Sequence, residues 1–258
     1  MLKDIIIGIR SFGQAHTFIR KHRLWKWIII PGLIYMLMFC ISMYLFANSA
    51  SEVIEFLMIK TGLKGWIAGI GSSLAELVVT IGGIILWLVL MLFYFSLFKY
   101  VWLIIGSPIF AYLSEKTEAI IEGKEYPFSS KQFIKDILRG IGIALRNTLW
   151  QSVYIFSLIL LSFIPVFGWV VPIFGLLVEC YYYGFSMLDY SCERHNLSAS
   201  ESINFIGERK GLAITNGLGF YLMHLIPIIG WIFAPAYAVI AATLSILAAR
   251  KTEITTAA

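Results

Sequence analysis

An uncharged apolar run near the beginning of the chain constrains the fold more than any other feature. It extends over 21 residues from Trp27 to Ala47, and at ~1.5 Å per residue a helix of that length is roughly 31 Å long. The hydrocarbon core of a bilayer has about the same thickness. A second uncharged run covers 22 residues from Leu77 to Phe98. The sequence therefore predicts two membrane-spanning helices.

The composition points the same way. Of the 258 residues, 59% are hydrophobic and 14% are charged, whereas soluble domains are about half apolar and a quarter charged. The chain therefore has too few polar residues to coat a soluble core. The stretch from Met1 to Lys26 has no signal-peptide cleavage site, so we expect the first apolar run to be retained as an anchor.

Basic residues predict the orientation of the two spans. They are frequent before the first span and after the second, and rare in between. The positive-inside rule therefore places the N-terminus and the segment after the second span in the cytoplasm, and the connection Asn48–Glu76 outside. The basic residues before the first span are Lys3, Arg10, Arg20, Lys21, Arg23 and Lys26.

The C-terminal half contains the phrase I-P-x-x-G-W twice, at Ile164–Trp169 and at Ile226–Trp231. Proline and glycine this close together end a helix and reverse the chain, which predicts two helical hairpins. The arms are short for a crossing, since Thr148–Ile164 has 17 residues, and this favours hairpins that turn back inside the membrane. Four ordinary spans with tight extracellular loops are the alternative. The turn residues are Pro165 and Gly168 in the first copy and Pro227 and Gly230 in the second.

Two polar segments flank the first predicted hairpin. The earlier one is amphipathic, with basic residues from Lys131 to Arg139 on one face, and we expect it to lie on an anionic inner leaflet. In the later one, Ser198 and Glu201 match the S-x-x-E capping box, which predicts a helix ending near Glu208-Arg209-Lys210-Gly211.

We predict an all-α integral membrane protein that forms a single membrane domain over residues 1–258. It has two long transmembrane helices, two Pro/Gly-turned hairpins that half-penetrate from the cytoplasmic side, and amphipathic interfacial helices. In chain order its segments are the basic cytoplasmic N-terminal segment (1–26), a transmembrane helix (27–47), the extracytoplasmic connection (48–76), a transmembrane helix (77–98), interfacial or cytoplasmic helices (99–147), hairpin 1 (148–190), a cytoplasmic bridge (191–211) and hairpin 2 (212–249).

Polar residues near the apolar segments are candidates for a pathway or a structural role. Gly106, Ser107 and Pro108 are expected to interrupt the helix that leaves the second span and to free backbone N–H groups. Three carboxylates follow on one helix face, where they can catalyse a reaction or bind a cation, although a solvated face is the simpler interpretation. They are Glu115, Glu118 and Glu122.

Glu179 is the charged residue that is hardest to accommodate, because it lies in an otherwise uncharged hairpin arm. An intramembrane carboxylate usually faces a partner or a water-filled cavity. Two interpretations are equally open. Either Glu179 fixes the hairpins by pairing with Arg194, Arg146 or tyrosine hydroxyls, or it belongs to a pathway.

The sequence lacks the motifs of enzymes. We find no nucleophile–base arrangement, metal-ligand set, Walker sequence or dinucleotide motif, so we expect no catalysis, no metal and no cofactor. The cysteines Cys40, Cys180 and Cys192 include no CxxC pair and are interpreted as reduced apolar residues. Nothing in the charge pattern points to nucleic acid.

Several phrases occur in the order found in one known family. A basic stretch runs into a proline-containing apolar helix at Lys26–Pro31, Pro108–Glu118 resembles P-F-x-x-L-x-E-x-x-E, and Ile164–Gly168 matches an I-P-x-x-G turn. The following arm ends in Tyr183–Tyr190, and Ala241–Thr243 is similar to a closing G/A-A-T. On these motifs the chain resembles the CysZ-type sulfate transporter family, which groups with the etoposide-induced membrane proteins.

This resemblance covers nearly the whole chain. It implies an α-helical protein of the bacterial inner (plasma) membrane with two long spans and two half-penetrating hairpins. It also implies a homo-oligomer surrounded by membrane lipids, with channel-like, passive passage of sulfate or a similar oxyanion for cysteine synthesis.

One departure from the family concerns the anion. CysZ proteins commonly carry P-G-x-R-R before the first span, where this chain reads His22-Arg23-Leu24-Trp25-Lys26. Arg23 stands at the glycine and Lys26 at the second arginine, so positive charge is kept without a paired guanidinium clamp. Because lysine acts as a point charge, ion selectivity can differ.

Two functions remain open at this stage. In the first, Arg23 and Lys26 attract a divalent oxyanion at a cytoplasmic mouth, and N–H groups near Gly106–Pro108 or the hairpin turns replace its water. Without an ATP-binding motif the flux is downhill or coupled to an ion. In the second, wedge-like hairpins and the basic helix shape the membrane or hold a partner without transport. Topology alone also explains basic residues before a span.

Overall fold

Helices make up all the regular secondary structure in the described part of the computed structural model, which confirms the predicted all-α class. The structure describes residues 1–60, 62, 65, 73–123, 130–162, 171–194 and 197–257. Within these ranges the helices are α1 (Leu2–Lys21), α2 (Trp25–Lys60), α3 (Ser73–Glu122), α4 (Ser130–Ser162), α5 (Val171–Arg194), α6 (Ala199–Glu208), α7 (Lys210–His224) and α8 (Ile229–Ala257).

The first predicted span lies within α2. By length and composition its segment Trp25–Ala50 can cross a membrane, in agreement with the prediction, and Pro31 is contained in the helix. The second predicted span, Leu77–Phe98, lies within α3, although most of its side chains are outside the described part of the chain. The same criteria also select Ile229–Arg250 in α8, which we predicted as an arm of the second hairpin.

The chain divides into two compact units, of which the smaller is Leu37–Val101. Aromatic and hydroxyl contacts join α2 to α3 within it. The hydroxyl of Tyr94 donates a hydrogen bond of 2.8 Å to the carbonyl oxygen of Ser42. The Phe46 ring lies 5.1 Å from that of Tyr94 and 5.7 Å from that of Trp87, measured between centroids. Aromatic pairs add about 0.5–1.5 kcal/mol each beyond their buried area, so these contacts hold the two helices side by side.

The larger unit contains Met1–Met36 and Trp102–Ala258. Helices α5 and α7 form its centre and pack against each other. Helix α4 packs on α5, α8 packs on both central helices, and α1 covers α7 and α8. The buried side chains of α5, α7 and α8 thus form the core of this unit.

Small residues allow α5 and α7 to approach closely. Gly184 on α5 lies against the carbonyl of Ala213, and Gly217 on α7 lies against the carbonyl of Cys180. Each helix therefore contributes two small residues four positions apart, a pattern that brings helix backbones together in membranes. A side chain at either glycine would overlap with the backbone of the other helix.

Helix α4 exposes apolar side chains and buries polar ones. On α4 the exposed side chains Leu138, Leu145 and Leu149 form an apolar stripe, whereas Asn147 and Gln151 on the same helix are buried. A stripe of this kind has no stable place in water but suits contact with lipid. The distribution supports the prediction that the chain is a membrane protein.

Helix α1 was predicted only as a basic segment, yet it is part of the packed structure. Gly8 lies so close to Thr215 on α7 that a Cβ atom there would come within 2.8 Å of its side chain. Nδ1 of His16 is hydrogen-bonded to the hydroxyl of Tyr237 on α8 at 2.9 Å. Small and polar residues at helical spacing form the buried face, which comprises Asp4, Gly8, Ser11, Ala15 and Ile19.

The predicted interruption at Gly106, Ser107 and Pro108 is wrong, because α3 continues through these residues. Proline lacks the N–H that would bond the carbonyl four residues earlier, which is that of Ile104. The hydroxyl of Ser107 donates to this carbonyl at 2.9 Å and replaces the missing bond. Consequently, these residues free no backbone N–H groups for a ligand.

The second copy of the repeated phrase forms a turn between α7 and α8. Gly230 lies against the carbonyl of Met223, where a side chain would not fit. The indole nitrogen of Trp231 donates to the carbonyl of His224 at 3.2 Å, and so satisfies an acceptor at the end of α7. Pro227 is exposed in the turn. Pro165 and Gly168 of the first copy lie outside the described residues.

Arg139 joins three helices rather than facing the leaflet. Its guanidinium lies 2.9 Å from a carboxylate oxygen of Asp189 on α5 and donates to the hydroxyl of Ser202 on α6 at 2.6 Å. It also donates to the carbonyl of Leu197. The Arg139 guanidinium is therefore engaged within the protein, whereas the location of the segment on an anionic leaflet stays a prediction. Helix α4 itself runs without a break from the predicted amphipathic segment into the predicted first arm.

Helix α6 follows the prediction from its capping residues. The hydroxyl of Ser198 accepts a hydrogen bond from the backbone N–H of Glu201 at 3.3 Å, and the Glu201 carboxylate accepts one from the Ser198 N–H at 2.7 Å. Both halves of the capping box are thus formed. The helix ends at Glu208, as the sequence predicted.

Candidate functional site

The junction between α1 and α2 carries the predicted anion-binding residues. The chain turns at Arg23, and the N–H of Leu24 donates to the Ile19 carbonyl at 3.1 Å. Leu24 is buried and fixes the turn, whereas Arg23 and Lys26 on either side of it are exposed. Both cations are therefore accessible to an anion from solution.

Arg23 has a backbone conformation that glycine adopts most readily. Its φ of 53° lies in the left-handed region, which costs a residue with a side chain about 1–2 kcal/mol. The P-G-x-R-R pattern named in the sequence analysis above has glycine at this position, a residue that adopts such a turn without strain. In this chain the turn is kept, and the same position supplies a cation.

Lys116 on α3 adds a third cation near the beginning of α2. Its ammonium lies 4.9 Å from the centre of the Trp27 ring and 5.6 Å from that of Tyr112. The two rings are 4.7 Å apart and form one aromatic platform. Because Trp27 lies in the first turn of α2, this contact places Lys116 at the same end of α2 as the predicted pair. Sequence reasoning missed Lys116, since no local pattern shows that α3 meets α2 here.

The carboxylates of α3 do not form a uniform solvated face. Glu122 is exposed and Glu115 is half-buried, but Glu118 is only 2% exposed. One turn before Glu118, the hydroxyl of Ser114 is hydrogen-bonded to that of Thr243 on α8 at 3.0 Å. The packing of α8 on this part of α3 accounts for the burial. The solvated-face interpretation is therefore wrong for Glu118.

Glu179 connects three helices of the larger unit. The side-chain amide of Gln151 on α4 donates to one carboxylate oxygen, and the hydroxyl of Tyr221 on α7 donates to the other at 2.9 Å. The tyrosine hydroxyl was among the predicted partners, while Gln151 was not. Since an amide and a hydroxyl hold both oxygens, the geometry supports a structural role for this carboxylate.

Arg146, five residues before Gln151 on α4, is a half-buried cation whose contacts among the described residues are to neutral groups. It donates to the side-chain oxygen of Asn147 at 3.1 Å and lies 5.9 Å from the centre of the Phe185 ring. Among the described residues no carboxylate pairs with Arg146, and an arginine in this state retains donors for an anion. The sequence had suggested Arg146 only as a partner for Glu179.

Comparison with known proteins covers almost the whole chain. A family model described as "Sulfate transporter CysZ/Etoposide-induced protein 2.4" matches residues 11–235. The sulfate transporter CysZ of Pseudomonas syringae pv. tomato is 28% identical over 241 residues, which are 93% of this chain and 91% of the relative. That of Pseudomonas paraeruginosa is 26% identical over 239 residues, covering 92% and 93%.

A third relative, the sulfate transporter CysZ of Pseudomonas fluorescens, is 27% identical over 246 residues, or 95% of this chain and 94% of the relative. The family model alone covers well over half of the sequence. The apolar helices and the lipid-facing stripe agree with a membrane protein. The chain belongs to the family of sulfate transporter CysZ and etoposide-induced protein 2.4.

Proposed function

We propose that this chain conducts sulfate, or a closely related oxyanion, across a bacterial inner membrane. The observation that carries the proposal is similarity along the whole length. Relatives that align over more than nine-tenths of both chains are named sulfate transporter CysZ. No nucleotide-binding motif occurs in the sequence, so the proposed flux is not driven by ATP and is either passive or coupled to an ion. In a bacterium this uptake would supply sulfur for cysteine synthesis.

The α1–α2 junction supports an entrance for anions. Arg23, Lys26 and Lys116 bring three positive charges to one end of α2. Arg23 and Lys26 are exposed and Lys116 is half-buried; positive charges at one end of a helix raise the local concentration of a divalent anion and speed its capture. Arg23 offers a guanidinium fork, whereas the two lysines act as point charges. We propose this cluster as the mouth of the pathway.

Arg146 supports a second anion contact beyond the mouth. With Gly106, Ser107 and Pro108 inside an intact helix, the donors that replace water around the anion must come from side chains or from other turns. The guanidinium of Arg146 has neutral neighbours and suits this task. Glu179 repels sulfate, so we assign it to structure or gating.

The α7–α8 turn supports a hairpin that ends inside the bilayer. Leu225 is 76% exposed and Ile228 is 59% exposed, although a turn in water would be rich in polar residues. The backbone of the turn satisfies itself, because Gly230 donates to the Ile226 carbonyl at 2.8 Å and Ile229 to the Pro227 carbonyl at 2.7 Å. We therefore propose that the second hairpin half-penetrates the bilayer. From the repeated phrase and the family resemblance we propose the same for the first hairpin and assembly as a homo-oligomer, and from the positive-inside rule a cytoplasmic N-terminus.

Cysteine accessibility tests the hairpin proposal. Ile228→Cys would be made in a Cys40→Ala background, because Cys40 is exposed, and treated in intact cells with an impermeant maleimide. Ser198→Cys in the cytoplasmic bridge is the matched control. We expect neither cysteine to react from outside and only Ser198→Cys to react in inverted vesicles. Labelling of Ile228→Cys from outside would show that the helices cross the bilayer.

Uptake of labelled sulfate into proteoliposomes tests the function itself. We expect saturable uptake that sulfite inhibits and that Arg23→Ala/Lys26→Ala reduces about tenfold or more, as the loss of charge-assisted contacts predicts. Lys3→Ala/Lys210→Ala removes the same charge at two other exposed positions and should transport normally. If correctly folded protein gives no flux above empty liposomes, the membrane-shaping alternative replaces this proposal.

A further inference from the structure

A groove of about 680 Å³ lies on the larger unit between α1, the end of α3 and α8. Arg23 and Lys26 do not line it, although its lining extends to His22, next to Arg23 in the chain. One wall is polar and comes from a single face of α1. The other wall is aliphatic and comes from α3 and α8. The polar wall contains Arg10, Gln14, Thr17 and Lys21, and the aliphatic wall contains Ile121 and Leu244.

The groove is longer than an inorganic oxyanion such as sulfate. Arg10 and Lys21 are separated by 11 positions (21 minus 10) on α1, a rise of ~16 Å along the helix. An inorganic oxyanion can contact only one of these cations and leaves the aliphatic wall facing water. An elongated molecule with an anionic part and an apolar part uses both walls at once.

The surface of α1 places this groove beside a membrane. Leu2, Ile6 and Ile9 form an exposed apolar stripe at helical spacing. An exposed stripe of this kind on a basic helix is typical of helices that lie in the bilayer interface. A helix with this surface is expected to bring the groove within reach of lipids in the leaflet.

We infer that the groove binds an anionic phospholipid of the membrane. The phosphate contacts Arg10 or Lys21, Gln14 and Thr17 donate to headgroup oxygens, and an acyl chain lies against Ile121 and Leu244. Among the described residues that line the groove, none is a carboxylate, so the charges are complementary. Basic pockets between membrane helices commonly hold such headgroups. A bound lipid would fasten α1 to α3 and α8.

Native mass spectrometry of the delipidated, detergent-solubilised full chain tests this inference. The protein is titrated with phosphatidylglycerol, with phosphatidylcholine of the same acyl chains, and with inorganic phosphate. We expect Arg10→Gln and Lys21→Gln each to weaken phosphatidylglycerol binding about fivefold. Arg20→Gln makes the same change at an exposed position of α1 that does not line the groove, and should bind like the wild type.

A steric variant keeps the test independent of charge. Gly13 lines the groove and has open space around its Cα, so Gly13→Trp should block the lipid without displacing a helix. Thermal unfolding without lipid checks that each variant is folded. Equal affinity for the two lipids, equal binding by Arg20→Gln and Arg10→Gln, or displacement of the lipid by millimolar phosphate would overturn the inference. Sulfate uptake is not part of this readout, so failure here leaves the proposed transport untouched.

Discussion

Replacing Gly217 with alanine should force α5 and α7 apart. The carbonyl of Cys180 occupies the place that the new Cβ requires, and the overlapping atoms belong to the backbone, which cannot rotate away. Overpacking of a well-packed interior costs about 1–3 kcal/mol, and a backbone clash lies at the upper end. The better helix propensity of alanine offsets about 1 kcal/mol of this destabilisation. We therefore expect a net loss of about 2 kcal/mol.

The matched control is Gly142→Ala, the same change on α4 at a glycine with nothing nearby. It should gain about 1 kcal/mol from helix propensity alone. Thermal unfolding in detergent, followed by tryptophan fluorescence, measures both variants. At about 2–4 °C per kcal/mol for a protein near this size, Gly217→Ala should lower Tm by about 4–8 °C and Gly142→Ala should raise it. Similar shifts for the two variants would refute the proposed close contact between α5 and α7.

Three further perturbations test other contacts in the larger unit. Asp189→Asn leaves the buried guanidinium of Arg139 without its counter-charge and should lower the free energy of unfolding by about 3–5 kcal/mol. Thermal unfolding should show that adding Arg139→Gln restores part of this stability. Ser107→Ala removes the hydroxyl that replaces the hydrogen bond lost at the following proline. We expect the free energy of unfolding to fall by about 1–3 kcal/mol, measured again by thermal unfolding. An unchanged Tm would contradict this role of Ser107. The backbone N–H and then the hydroxyl of Ser198 lower the pKa of Glu201, so its contribution to α6 is present at neutral pH and is lost as the pH falls through that lowered pKa. Hydrogen exchange of α6 amides should show this loss in the wild type and not in Glu201→Gln.

Local chemistry made some elements predictable. The start and end of α6 followed from Ser198 and Glu201, because a capping box is formed by residues four positions or fewer apart. The first span followed from an apolar run long enough for a bilayer. In contrast, the packed face of α1 contains Gly8, Ser11 and Ala15, and small residues give no hydrophobic periodicity that would reveal it. Close helix packing in membranes depends on such residues.

Contacts between distant helices made the remaining features unpredictable. The rule that proline and glycine end helices failed at Pro108, because Ser107 supplies the missing hydrogen bond. The same rule agrees with the turn at Pro227, where Trp231 satisfies the end of the preceding helix. Gln151 reaches Glu179 from another helix, and no sequence spacing encodes that meeting. A polar residue in an apolar segment can therefore be recognised from the sequence, but its partner can be identified only from the three-dimensional structure.

Arg23 combines an unfavourable backbone conformation with a charge, and two substitutions separate these properties. Arg23→Gln removes the charge and keeps the left-handed φ of 53°. Arg23→Gly removes the charge as well, but also the cost of about 1–2 kcal/mol for a side chain in that region. Glycine adds about 0.4–1 kcal/mol of entropy to the unfolded chain, so Arg23→Gly should be more stable than the wild type by about 0.5–1 kcal/mol.

Transport and stability should therefore change in opposite directions in Arg23→Gly. If the guanidinium attracts the anion, both variants lose sulfate uptake to the same extent, whereas only Arg23→Gly gains in Tm, by about 1–4 °C. The comparison decides why this chain differs from the P-G-x-R-R pattern of its family. Normal uptake by Arg23→Gly with the expected gain in Tm would mean that the cation has no role in transport. A lower Tm for Arg23→Gly than for Arg23→Gln would instead refute the strain at this turn.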